Sequence, residues 1–320
     1  MSEARPPKLP NFFLAGAPAS GTTSLHQYLR QHPQVYMSSI KEPTFFAAAD
    51  MLGRNAFLRI IARDRTALRR YLEGEQGQGA RYWVTEWNDY VALFRNAREQ
   101  IAIGEASVSY FWLPSAAPAI KSKLPDARLI FLLRNPADRL FSWYLMKLER
   151  HPGLTFRDWF LEARDAGGDG GPTDDRHTLP LDGGWCVPHL LRFLEHFPRE
   201  QVRIYLYESL HADAPRVLRD MFEFLGVDPD QRIDMSRRHN ETVLPRFPGL
   251  HRIRRRLFGD TSVIWWLPTA ARNALGKLYH RRRGALAIDP DDRRLVIDHY
   301  RDDILGTADI IGRDLSAWLR

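Results

Sequence analysis

Three groups of residues in this sequence have the types and spacing for chemistry on an anion. Gly16-Ala17-Pro18-Ala19-Ser20-Gly21-Thr22-Thr23 joins the apolar run Asn11 to Ala15 to a helical pattern, Thr23 to His32, with Leu25, Tyr28 and Leu29 on one side. A small-residue loop between strand and helix brings backbone N–H groups and a helix N-terminus to one point, and its glycines let the backbone approach a phosphate. The spacing follows a nucleotide-triphosphatase loop as far as Gly21, but Thr22 stands where that loop carries lysine, which disfavours a Walker enzyme. A tight turn that binds nothing explains this segment, taken alone, equally well. The second group is Arg134, at the end of the apolar run Ala127 to Leu133, with Ser142 eight residues further on in the next helical stretch. Open α/β sheets bind ligands at this edge, and a guanidinium fork beside a hydroxyl suits a phosphate monoester. Helix capping, or a surface pair with Asp138, is the plainer reading of Arg134. The third is Glu42, preceded by Lys41 and followed by Pro43, which restricts the glutamate to extended backbone. A carboxylate so placed can serve as a general base, and Phe45 and Phe46 predict burial nearby. A solvated Lys41/Glu42 pair is the alternative.

The elements that must position these groups alternate. Strands are expected at Asn11 to Ala15, Ala127 to Leu133 and Val202 to Leu206, with Val35 to Met37 a further short apolar segment. Helical spacing is expected over 55–75, 88–98, 137–150, 190–197, 214–225 and, as one or two helices, 290–319, and Pro136 suits a first turn. Strands alternating with helices imply a central parallel sheet flanked by helices, an α/β fold. The 320 residues read as one domain, 1–320, with a polar leader over 1–10 and a Gly- and Asp-rich flexible loop over 166–184.

Composition removes several classes. A hydrophobic share of 44% with 27% charged residues excludes collagenous and mostly disordered chains. No apolar run reaches the ~18 residues of a membrane span, and the apolar stretch near residue 12 is too short for a signal peptide. A single cysteine, Cys186, permits no intramolecular disulfide, and a cytoplasmic setting is expected. The net charge of +7 attracts anions; of the 46 basic residues only six are lysine, so each lysine is unusual. Scattered histidines and a lone cysteine argue against a metal site, and no nucleic-acid motif accompanies the basic clusters 252–256 and 281–283. Those clusters flank the apolar patch Val263 to Pro268, for which a lipid-like acceptor, a peripheral membrane contact or a core helix are all open.

With these segments in order, the chain resembles PAPS-dependent sulfotransferases, in particular bacterial members similar to the carbohydrate (heparan-type) branch. Gly16 to Leu25 resembles the 5′-phosphosulfate loop, and Leu133 to Tyr144 the 3′-phosphate segment. Lys41 to Phe46 is similar to the acid-bearing segment and Gly104 to Tyr110 to the next landmark; weaker similarity extends through Tyr207 to Leu210, His239-Asn240 and Gly312 to Trp318. The resemblance implies a P-loop-like fold and transfer of sulfuryl from 3′-phosphoadenosine 5′-phosphosulfate (PAPS) to a hydroxyl or amine of a carbohydrate or small metabolite, leaving 3′,5′-adenosine bisphosphate (PAP). It implies nucleotide contacts from Pro18, Ser20, Gly21, Thr22, Thr23 and Ser24, from Arg134 and Ser142, and from a closing loop at Arg237 and Arg238. Glu42 would be the base, with no metal needed.

One departure matters. The family carries a lysine where this chain has Ala19, and alanine cannot neutralise charge on a leaving phosphate. An introduced substitution is favoured, because the rest of the loop keeps the pattern. A natural variant that relies on Lys41 or an arginine, and a protein that binds PAPS or PAP without catalysis, are the other readings. The histidine base of the aryl branch has no counterpart between Gly104 and Tyr110. Trp83, Trp87, Trp112, Trp143, Trp185, Trp265 and Trp266 are candidate acceptor walls, or core.

Overall fold

The computed structural model describes residues 8–54, 65–74, 82, 84–147, 155–166, 179–236, 243–245, 280–282 and 287–320. Its centre is β1 (Phe12–Gly16), fully buried. β1 pairs in parallel with β3 (Ala102–Ala106) on one side and β4 (Arg128–Leu133) on the other; β2 (Val35–Met37) adds beside β3 and β5 (Val202–Leu206) beside β4. The order β2-β3-β1-β4-β5 makes an all-parallel sheet flanked by helices, as expected from the sequence.

A central strand covered on both faces reads as a continuous apolar run, and its period of two still sorts the side chains. Phe13 and Ala15 enter one core layer, together with Leu129, Phe131 and Leu133 of β4. Phe12 and Leu14 enter the other, with Ile130 and Leu132. β3 follows the same alternation, Ile103 facing the first layer and Ala102 and Ala106 the second. β3 is the strand that the apolar pattern does not reveal, because Gly104 and Glu105 interrupt it.

The helices close to the carboxyl edge of the sheet are α1 (Thr22–Leu29), α2 (Pro136–Lys147) and α3 (Tyr207–Ala212), each following a strand closely. Asn135 caps α2, its Oδ1 accepting from Ala137 N (2.9 Å), with Pro136 in the first turn as its fixed φ favours. The long helix α4 (Pro290–Ile311) is capped by Asp289 and is followed by a short 3₁₀ turn, Ser316–Leu319. Between these, α1 stops at Leu29 rather than His32; only Thr66–Glu73 of the expected 55–75 helix is seen, residues 55–64 lying outside the described set.

Part of the expected loop over 166–184 is corrected. Residues 167–178 lie outside the described set, but Leu179–Asp182 forms a helical turn and Leu181, Gly183 and Gly184 are buried. A Cβ on Gly184 would lie 2.2 Å from the guanidinium of Arg139, itself fully buried, so glycine composition here reports close packing. The leader residues 1–7 and the patch 263–268 also lie outside the described residues; Arg281 and Arg282 belong to a short strand, His280–Arg282, antiparallel to Val243–Pro245.

Gly16 is the tightest point of the sheet. Its φ is 148°, and a Cβ there would lie 2.2 Å from the Leu132 carbonyl oxygen of β4. Backbone in a central strand cannot yield, so Gly16→Ala is expected to cost ~3 kcal/mol or more, read as a lowered urea midpoint. Gly53, with nothing within 4 Å in the helix Ala48–Arg54, is the control, since alanine there should be neutral or gain ~0.5–1 kcal/mol. Equal midpoints for the two variants would contradict this account of β1.

Candidate active site

The carboxyl ends of β1, β2, β3 and β4 lie at one edge of the sheet, so the three sequence groups meet there. Ala17 N donates to Leu132 O (3.1 Å) as the loop leaves β1. Gly21 (φ 91°) is the N-cap of α1, and the small loop residues are enclosed except Ala19, Gly21, Thr23 and Ser24, which are half-buried. Ser20 is 1% exposed, and its buried hydroxyl has no hydrogen-bond partner among the described residues. A buried hydroxyl without a partner at a helix N-terminus fits an incoming anion oxygen.

Arg134 leaves β4 toward this loop. Its Nη1 donates to the Ala19 carbonyl (2.8 Å), and its guanidinium lies 4.4 Å from the Tyr207 ring centroid. The alternative pairing with Asp138 does not occur; Asp138 binds Arg293 of α4. The Tyr207 ring also underlies Gly21, where a Cβ would meet it at 2.9 Å, so Tyr207 backs the loop and the arginine together. Ser142 lies buried on α2. Asn135 ties this region to the rest of the chain, its N–H donating to Glu208 Oε1 (2.9 Å) and its Nδ2 to Trp318 O (3.3 Å).

Glu42 follows β2 and is bonded to β3, its N–H donating to Ala106 O (2.8 Å). One carboxylate oxygen accepts from Lys41 Nζ (2.5 Å), the other from Val108 N (2.7 Å). The Lys41 and Glu42 side chains are 23% and 36% exposed, so the pair exists but lies half-buried at the sheet edge. The expectation of extended backbone at Glu42 is corrected: its φ is 62°, and Thr44 follows at 55°. Ala19, at 63°, is the third non-glycine residue with positive φ among those described. Such conformations persist only where the surroundings impose them, and they cluster at functional sites.

Two charged groups escaped sequence reasoning, Arg139 and Glu105, both fully buried. The signal for Glu105 is its acid interrupting a strand; burial raises its pKa to about 7, against the lowering effect of hydrogen bonds from Ser107, Tyr110 and Tyr90. Ser107 stands at the N-cap position of the 3₁₀ turn Val108–Phe111, but its hydroxyl bonds Glu105 and Thr44 N rather than the turn itself. Trp87 and Trp185 pack with Tyr90 and Tyr300, while Trp83, Trp265, Trp266, Arg237 and Arg238 lie outside the described residues. Among the described residues no cluster of His, Cys, Asp or Glu has metal-binding geometry, and no helix is long and apolar enough to cross a membrane.

A parallel sheet whose central strand opens through a glycine loop into a helix, faced by an arginine from the neighbouring strand, defines an α/β protein of the phosphate-loop type. The chain belongs to the sulfotransferase domain family, whose profile matches residues 9–242. It is 25% identical over 322 residues to the human bifunctional heparan sulfate N-deacetylase/N-sulfotransferase 3, covering 98% of this chain and 31% of that enzyme. The mouse enzyme 4 of the same name matches at 25% over 321 residues with the same coverage. The chain thus spans about a third of the length of these curated relatives. A sulfotransferase structure from Alicyclobacillus acidocaldarius superposes with a TM-score of 0.68 at 27% identity, covering 98% of this chain and 100% of that one. Sulfotransferases of this family use PAPS as donor.

His26 on α1 is held neutral, its pKa lowered to about 4 by burial and then by the charge of Lys41; His189 is lowered to about 4 chiefly by burial. Native histidines that refuse a proton which the unfolded chain accepts give stability that is complete above about pH 6.5 and lost as pH falls toward 4, up to roughly 3 kcal/mol each. Glu105 works in the opposite direction between 4.5 and 7, since the folded state holds its proton more tightly. Two histidines outweigh one glutamate, so unfolding free energy from urea melts should fall between pH 6.5 and 4, less steeply in His26→Gln. An unchanged slope in that variant would refute the buried neutral state of His26.

Proposed function

We propose that this chain transfers the sulfuryl group of PAPS to a hydroxyl or amine by in-line displacement, with Glu42 as general base. The observation that carries the reading is the convergence of the Gly16–Ser24 loop, Arg134 and Glu42 at one sheet edge, where Ser20 holds a buried hydroxyl without a partner.

PAPS supplies an activated sulfuryl group on a phosphate leaving group. The backbone of Pro18 to Ser24 and the hydroxyls of Ser20, Thr22, Thr23 and Ser24 would hold the 5′ end. Arg134 and Ser142 would hold the 3′-phosphate, and Arg237 and Arg238 would close over it. Glu42 takes the acceptor's proton as the new oxygen–sulfur or nitrogen–sulfur bond forms and the bond to the leaving phosphate breaks. Lys41, bonded to Glu42 at the same sheet edge, would take over the charge role missing at Ala19. An amine acceptor on a carbohydrate is in keeping with the names of the relatives, and a small metabolite is the other acceptor class proposed. The single cysteine supports a cytoplasmic setting.

Ala19 favours a second reading, a PAPS- or PAP-binding protein with impaired transfer. Both readings require preference for 3′-phosphorylated nucleotides. Calorimetric titration should give PAP at least about tenfold tighter binding than ADP, from ~1.5–3 kcal/mol of charge-assisted contact, and Arg134→Ala should remove most of the difference. Equal affinity for PAP and ADP would dismiss both readings.

Single-turnover transfer separates them. Ala19→Lys should accelerate transfer by roughly 10² or more with a smaller change in nucleotide affinity, because the added charge acts on the developing leaving group. In that background Glu42→Gln should lower the rate by ~10²–10⁴ while nucleotide binding stays intact. A loss below about threefold would remove Glu42 from the base role.

A further inference from the structure

Glu105 is a glutamate with no solvent exposure, on β3 beside Phe13 of the central strand, and nothing in the transfer chemistry above uses it. Three hydroxyls address it. Tyr90 and Tyr110 donate to Oε1 (3.1 and 2.6 Å), and Ser107 donates to Oε2 (2.6 Å). Two of these hydroxyls are also acceptors from one short segment: Thr44 N donates to Ser107 Oγ (3.1 Å), and Phe46 N to the Tyr110 hydroxyl (3.3 Å). Each carboxylate oxygen is therefore linked through a single hydroxyl to the chain that follows Glu42.

That chain needs holding. Glu42 and Thr44 both have left-handed backbone, which is strained for a non-glycine residue, and proline after Glu42 adds its own restriction. The bonds from Glu42 N to Ala106 O and from Val108 N to Glu42 Oε2 fix the near end of the turn; the Glu105 relay fixes the far end. We propose that Glu105 is a positioning residue for transfer, holding the Glu42–Thr44 turn through Ser107 and thereby aiming the Glu42 carboxylate. The proposal rests on Glu42 acting as base.

Hydrogen-bond polarity makes the relay depend on the charge of Glu105. Ser107 and Tyr110 each accept a backbone N–H, so each has its own hydrogen left to give, and both give it to Glu105. An ionised carboxylate accepts all three hydroxyl bonds; a protonated one presents a hydrogen on one oxygen, and a donor there must turn away. The groups facing Glu105 are Tyr90 from the helix Trp87–Ala92, Tyr110 and Ser107 beyond β3, and Glu42, whose charge adds to the burial that lifts Glu105 to about 7. The relay is complete on the alkaline side of that value and loosens below it.

Ser107→Ala cuts the relay while leaving Glu105 and Glu42 in place, and Glu105→Gln puts a donor where an acceptor is needed. Both are made in the Ala19→Lys background, with Glu42→Gln alongside. The expected result is a kcat limb near pH 7 in the parent that is lost in Ser107→Ala, a fall in kcat of at least tenfold in each relay variant, and nucleotide KM within about twofold. Crystal structures of the two variants should show the 42–44 turn relaxed, with Glu42 or Thr44 returned to negative φ, a readout independent of turnover. A Ser107→Ala protein with an unmoved turn, or with parental kcat and pH limb, overturns the proposal. If Glu42→Gln retains transfer, the base assignment fails instead, whatever the relay variants do. Should Glu105→Gln fail to fold, Ser107→Ala carries the test alone.

Discussion

The backbone of β1 passes β4 at Gly16 with no room for a side chain, and the geometry of the site descends from that contact. Because Gly16 can turn there, Ala17 bonds Leu132 and the loop begins on the side of β4, where Arg134 emerges two residues later. Arg134 reaches back to Ala19, and Tyr207, at the end of the next strand, closes over Gly21. A bulkier first loop residue would separate strands whose pairing defines both core layers. The edge that carries the candidate site and the hydrophobic core therefore share one steric condition, which is why so small a residue governs so large a part of the fold.

The strands covered on both faces were legible because burial writes itself as an apolar run: Phe12 to Ala15 and Leu129 to Leu133 could hardly be anything else. Asn135-Pro136 likewise announced a helix start that the structure keeps. β3 was hidden because two of its five residues serve other needs, Gly104 lying against the Phe12 ring and Glu105 collecting hydroxyls from elements that are distant in sequence or beyond the strand. Local pattern cannot show a partner such as Tyr90, which the fold alone brings to Glu105. The same limit explains Glu42: its place at the sheet edge was readable from Val35 to Met37, but its left-handed backbone was not, since Pro43 argues locally for the opposite. Tertiary hydrogen bonds overrode that preference.

The positive-φ residues other than glycine, among those described, are Ala19, Glu42 and Thr44, and they all stand on the loops at one end of the sheet. Elsewhere the described chain uses glycine for such turns, at Gly74, Gly226 and Gly312 after helices. Side chains have been kept where glycine would be easier, as at Glu42, where the carboxylate bonds Lys41 and Val108. The conformational cost concentrates at the edge and the apolar layers beneath it supply the stability that sustains it.

Arg134 has a further consequence. A long cationic side chain free in solvent loses rotamer entropy when it captures an anion, which subtracts from affinity. Here the guanidinium is already fixed by the Ala19 carbonyl on one side and the Tyr207 face on the other. Its ordering is completed during folding, before any ligand arrives, and its remaining donors keep one plane. If Arg134 takes the phosphate as proposed, an anion that fits that plane would meet a rigid fork and one displaced by an ångström would find a group that cannot follow it, so rigidity would act as a filter on shape as much as a source of attraction.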